Sequence, residues 1–231
     1  MTTHSLTWRH LATAILCGYT SVAAPSLQAQ AAAGPDVRDI LARAEARYGE
    51  LASMQADFEQ TIEIPILERS RTGHGVWYQK GPGRFKMDFV DPSGDKIVAD
   101  GEYLWLYYPS THPNQVIRSS IDANATGAGM ADLQGRIFLE ARGGYEAGYV
   151  GTEIIGEAST HLISLRPLGE SHYRSVRVWI DVETFLVRRF EITEHNETIR
   201  TVTLSNLKPN QEISDSEFRF TIPPGADLFA G

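Results

Sequence analysis

Trp77-Tyr78-Gln79-Lys80-Gly81-Pro82-Gly83-Arg84-Phe85-Lys86-Met87-Asp88-Phe89, with the run that follows it to Val116, is the stretch that decides the fold. Phe85, Met87 and Phe89 alternate with Lys86 and Asp88, so one face of that strand is apolar and the other charged. The turn Asp91-Pro92-Ser93-Gly94-Asp95 leads into Ile97-Val98-Ala99-Asp100-Gly101 and then into Tyr103-Leu104-Trp105-Leu106-Tyr107-Tyr108-Pro109. Such strands carry more large apolar side chains than a sheet needs to close on itself, with no catalytic constellation beside them. They describe a container for something apolar.

Working outward, further strands are expected at 56–64, 71–80, 83–89, 96–100, 103–108 and 115–119, then at 148–155, 161–166, 173–180, 186–193 and 199–204, with a short last strand at 218–222. Gly, Pro, Asp or Asn at close intervals between them mark an antiparallel meander. Few helices and about a dozen strands exclude a doubly wound fold and leave a barrel, half-barrel or sandwich. One helix precedes them, with Val37, Ile40, Leu41, Ala44, Tyr48 and Leu51 spaced by three and four, Asp36 as N-cap and Gly49 near its end. The meander is interrupted from Ile121 to Tyr145, where a Gly/Ala/Asn-rich part precedes Met130, Leu133, Ile137, Phe138 and Leu139 at helical spacing. That segment reads equally as a lid and as a crossover helix closing one end of the sheet.

Arg9 and His10 precede an apolar segment from Leu11 to Ala24, followed by small residues to Ala33, the pattern of a secretory signal peptide. A cleaved signal at 1–31 and a single domain at 32–231 are expected. The apolar part is shorter than the ~20 residues a spanning helix needs. Leu16 before Cys17 is a poor lipobox, so lipid attachment is not expected, and cleavage near Ala31 removes the only cysteine. With Arg9 gone from its 21 basic residues, the mature chain has 20 against 29 acidic, a net −9. An acidic chain gains nothing from the counterion release that drives nucleic-acid binding, and anionic lipid surfaces repel it.

No metal site is expected, because His74, His112, His161, His172 and His195 have no second ligand at metal spacing. No cofactor or catalytic residue is expected either. Ser93-Gly94-Asp95-Lys96 matches S-x-x-K, but it lies in a tight turn without companion motifs. Asp91 with Asp95, and Asp100 with Glu102, sit among Pro92, Gly94 and Gly101, where turn roles outrank acid/base roles.

With these features the chain resembles the outer-membrane lipoprotein carrier family, LolA. The likeness rests on the opening helix, Phe58-Glu59-Gln60, Trp77 through Phe85, Asp100-Gly101 leading into Leu104 to Pro109, Gln115-Val116, and the ending Phe218-Arg219-Phe220-Thr221-Ile222-Pro223-Pro224-Gly225-Ala226. The resemblance implies a mainly β fold (α+β), a curved antiparallel unclosed barrel with a helical lid. It also implies a periplasmic chaperone that carries acylated lipoproteins from an inner-membrane lipoprotein-releasing ABC transporter to an outer-membrane receptor, with no enzyme activity. A monomer is expected.

Phe85, Met87, Phe89, Leu104 and Leu106 are expected on the concave face, with Leu41, Leu133, Ile137 and Phe138 covering it from the helices. For each of them, core packing without ligand contact is the alternative. The family's lid arginine precedes a proline, where this chain has Lys80-Gly81-Pro82 with Arg84 beyond, so Lys80 or Arg84 is the expected latch. The chain ends soon after Pro-Pro-Gly, so no extra C-terminal strand is expected. Competing readings are a lipid- or lipoprotein-sensing module of the same fold, the receptor branch of the carrier system, and an unrecognised hydrolase.

Overall fold

Alternation governs the computed structural model, which describes residues 1–2, 35–81, 83–121, 144–171 and 173–230. Helix α1 (Val37–Gly49) starts behind Asp36, whose carboxylate accepts from the Arg38 N–H at 2.9 Å, and buries Ile40, Leu41 and Ala44. Leu51 falls beyond its end. Tyr48, from the last turn, accepts from the Val187 N–H at 3.1 Å; burial pushes its phenol well above the ordinary range.

Twelve strands form one sheet: β1 (Ser53–Ile64), β2 (Arg69–Lys80), β3 (Arg84–Asp91), β4 (Lys96–Asp100), β5 (Tyr103–Tyr107), β6 (Gln115–Ser120), β7 (Tyr145–Ile155), β8 (Ala158–Pro167), β9 (Tyr173–Asp181), β10 (Val187–Glu194), β11 (Ile199–Pro209) and β12 (Asp227–Ala230). Their order is β12-β6-β5-β4-β3-β2-β1-β11-β10-β9-β8-β7. Every pairing is antiparallel except that of β12 on β6. The sheet does not close: among the described residues β7 pairs only with β8, and β12 only with β6. Yet buried residues from both halves, Phe85 and Leu104 with Ile163 and Val178, belong to one apolar cluster. Only a strongly curved sheet brings them together.

Local chemistry fixes the turns. Asp100 accepts from the N–H groups of Glu102 and Tyr103 and from the Trp105 indole, at 2.7–2.9 Å, beside Gly101 at φ 104°. Asp95 accepts from the Ser110 N–H and hydroxyl. Between β2 and β3 the register shifts at Gly75, where a side chain would collide with the Asp88 carbonyl and lie 2.8 Å from Phe89 Cα. Only glycine fits that approach.

The C-terminal expectations fail in two ways. Residues 218–222 are not a strand. Asp215–Phe218 is a 3-10 turn, opened by the Ser214 side chain accepting from the Ser216 N–H. The apolar period of Phe218 and Phe220 reflects contact with the sheet's outer surface, not a place in its ladder. Phe218 is buried, and Phe220 stacks on Trp105 with centroids 5.3 Å apart. An extra strand does follow Pro-Pro-Gly, because Asp227–Ala230 pair in parallel with Gln115–Arg118. Gly225, at φ 81°, sits in the turn that redirects the chain onto that edge.

Candidate functional site

Strand register places the expected ligand-facing residues in rows on the concave face. Gln79, Phe85, Ala99, Leu104 and Ser119 are successive cross-strand partners from β2 to β6; Trp77, Met87, Ile97, Leu106 and Ile117 form the next row; Gly75 and Phe89 begin a third. Phe85, Met87, Phe89, Leu104 and Leu41 are buried in one cluster, and Leu106 is half-buried against it. All six described residues of the expected ligand-facing set therefore share one apolar region. Leu133, Ile137 and Phe138 lie outside the described residues.

The rings interlock by their edges and faces. Trp77 stacks on Phe85 at 5.1 Å and 21°, Phe58 meets Phe89 edge-on at 4.8 Å, and Trp77 meets Phe190 edge-on at 6.3 Å. The far half, Val176, Val178, Ile163, Leu165, Phe190 and Val202, completes the surface. Those residues were not singled out as candidates from the sequence, although the alternation of Val176, Val178 and Ile180 is the same signal that marked Phe85, Met87 and Phe89.

Polarity inside this face is confined. Gln60 and Ser119 are buried, and the buried acids Asp95 and Asp181 are held in turns by local hydrogen bonds. At one rim Arg200 donates to Gln60 at 3.1 Å, near Tyr108, whose phenol burial raises above its ordinary pKa while Arg200 partly offsets the shift.

Lys80 and Arg84, the expected latch, stand on the opposite, convex face. Lys80 donates to Asp215 at 2.6 Å and to the Ile213 carbonyl at 2.8 Å, and Arg84 lies 3.3 Å from the same carboxylate. The Lys80 hydrogen bond holds the Asp215 carboxyl below the usual range. Lys86 adds contacts to Asp88 and Glu217 at 2.8 and 3.0 Å. Burial disfavours its charge, but the two carboxylates outweigh that and hold it above the ordinary lysine range. Residues 213 to 227 thus meet β2, β3, β5 and β6 in turn, as a strap. Among the described residues, no group of three or more His, Cys, Asp or Glu is placed to hold a metal ion.

An unclosed, curved β-sheet with an apolar inner face is the scaffold of a binding protein. The chain belongs to the outer membrane lipoprotein carrier protein LolA family, whose profile matches residues 49–221. It is similar to the outer-membrane lipoprotein carrier protein of Haemophilus ducreyi, 26% identical over 188 residues, covering 81% of this chain and 83% of that one. The same named protein of Neisseria meningitidis is 24% identical over 177 residues, covering 77% and 80%. In fold it is similar to an uncharacterized conserved protein from Thermus thermophilus, with TM-score 0.51, 15% identity, and coverage of 84% of this chain and 98% of that one.

Proposed function

We propose that this protein is a periplasmic chaperone that binds the acyl chains of lipoproteins against its concave face and carries them from the inner to the outer membrane. The observation that carries the reading is the continuous inner face, in which Phe85, Met87, Phe89, Leu104 and Leu106 from one half meet Leu41 from α1 and the valines and isoleucines of the other half. Its partners are then acylated lipoproteins, an inner-membrane lipoprotein-releasing transporter and an outer-membrane receptor, each met by a monomer exported with a cleaved signal.

Thermodynamics limits how such a carrier works. An acyl chain gains about 0.8 kcal/mol per buried CH₂, so full sequestration of several chains would pass the ceiling of about −20 kcal/mol on known affinities. Cargo must therefore be held incompletely, or its binding must be offset by displacing contacts already made inside the hollow. The rings of Phe85 and Phe190, which both pack against Trp77, supply such contacts.

Purification of the chain from its own cell envelope, followed by mass spectrometry of what comes with it, tests the reading. Acylated proteins should co-purify, and Phe85→Glu should abolish their capture and delivery, with thermal unfolding of the purified variant separating that loss from loss of the fold. Recovery of no acylated protein with the wild-type chain would overturn the assignment. Normal delivery by the Phe85→Glu chain would overturn the role of Phe85 alone.

A further inference from the structure

Three buried side-chain polar atoms among the described residues have no hydrogen-bond partner, and two of them are neighbours on the concave face: the indole nitrogen of Trp77 and the amide oxygen of Gln79. Both project inward from β2, two residues and about 7 Å apart along the strand. Trp77 is 1% exposed. Its ring stacks on Phe85 and meets Phe190 edge-on, and its N–H is shielded from solvent. Buried polar groups are nearly always satisfied, so a polar atom without a partner among the described residues is a place where a water or a polar group of a ligand can bind.

The chemistry of the two atoms defines that partner. The indole N–H only donates and the Gln79 oxygen only accepts, and neither carries charge. The nearby cations Lys80 and Arg84 are committed to Asp215 on the other face, so nothing here is arranged for a phosphate. A neutral group offering a carbonyl acceptor and an N–H donor a few bonds apart fits, with apolar tails running over Met87 and Leu106. An amino acid carrying both an amide-linked and ester-linked acyl chains is such a group.

Resting on the carrier reading, we propose that Trp77 and Gln79 form a polar seat for the linkage region of an acylated amino terminus. The Trp77 indole donates to an acyl ester carbonyl, and the Gln79 oxygen accepts the amide N–H. Hydrocarbon then supplies most of the affinity, and the seat fixes how far the chains enter and tells an acylated peptide from a membrane phospholipid, whose esters lack the N–H.

The test uses the processed full chain and three probes: a synthetic peptide whose amino-terminal cysteine carries one amide-linked and two ester-linked acyl chains, the same peptide with ethers in place of esters, and a diacyl phosphatidylglycerol. Wild type should bind the ester peptide about 10-fold more tightly than the ether peptide, and Trp77→Phe should remove that preference. Gln79→Met should weaken the acylated peptides several-fold and leave phosphatidylglycerol unchanged. In ¹⁵N-labelled wild type, the indole resonance that Trp77→Phe deletes should move downfield with the ester peptide and stay in place with the ether one. An unmoved Trp77 resonance with ester peptide bound, or an ester preference surviving in Trp77→Phe, overturns the seat while the carrier reading stands. Failure of wild type to bind either acylated peptide overturns both. Should the variants misfold, the wild-type resonance alone decides.

Discussion

The inner and outer faces of this sheet treat the same side chain in opposite ways. On the convex side the indole N–H of Trp105 donates to Asp100 and that of Trp179 to Glu153, each at 2.7 Å, and Arg177 and Arg189 lie over the Trp179 ring. On the concave side Trp77 keeps its ring contacts and has no polar partner. β3 shows the same division within eight residues: Phe85, Met87 and Phe89 are buried inward, while Arg84 and Lys86 meet the carboxylates of the strap outside. On the outer face both described tryptophans have a carboxylate partner. On the inner face the Trp77 indole nitrogen and the Gln79 amide oxygen are buried without such a partner.

The largest effect should come from the packed inner wall. Phe58→Ala removes a fully buried ring from the centre of the cluster and should cost about 3–5 kcal/mol in urea unfolding, with little dependence on pH. A loss below about 1 kcal/mol would mean that the inner wall is not a stabilising core. The tryptophans give a sharper comparison. Trp179→Phe surrenders a charge-assisted hydrogen bond and Trp77→Phe none, so the former should destabilise by about 1–2 kcal/mol more. Equal losses would break the contrast between the faces.

Acid should find the polar elements and spare the hollow. Burial opposes the charge on Asp181, but the Thr184 N–H, the Arg188 guanidinium and the Glu183 N–H together outweigh it and hold the carboxyl below its ordinary pKa. A depressed carboxyl contributes stability that is full above its unfolded pKa, near ~4, and fades as pH falls through the folded value. Asp181→Asn should therefore flatten the acid limb of the stability curve and cost about 1–3 kcal/mol at pH 7, read from unfolding midpoints at pH 7 and pH 3. The smallest effect is that of Asp215→Asn on the exposed strap. Its folded pKa is also lowered, so the wild-type clasp is present at neutral pH and lost in acid. The variant should show faster limited proteolysis near residue 215 at pH 7, with global unfolding barely changed.

Much of this architecture was legible because the sheet is built from one repeated signal. Period-two alternation with Gly, Asp and Pro turns located eleven of the twelve strands to within a few residues, and the same alternation put Phe85, Met87, Phe89, Leu104 and Leu106 on one face. The C-terminus was misread because alternation reports only that successive side chains face different surroundings. Phe218 and Phe220 meet that condition while lying on a sheet, just as they would within one. β12 escaped notice because it is four residues long and held by parallel backbone pairing, to which its side chains contribute no pattern. The unpartnered atoms of Trp77 and Gln79 could not be read at all, since the lack of a partner is a property of three dimensions.

Gly75 sets the register of the β2–β3 pair. The backbone of β3 presses so closely against it that neither neighbour, His74 or Val76, fits in its place. A slide of one position along β2 would invert β3, turning its phenylalanines toward water and bringing Lys86 and Asp88 indoors. One absent methyl group therefore acts as the molecule's keying notch, guaranteeing that every copy of the chain is assembled oily side in.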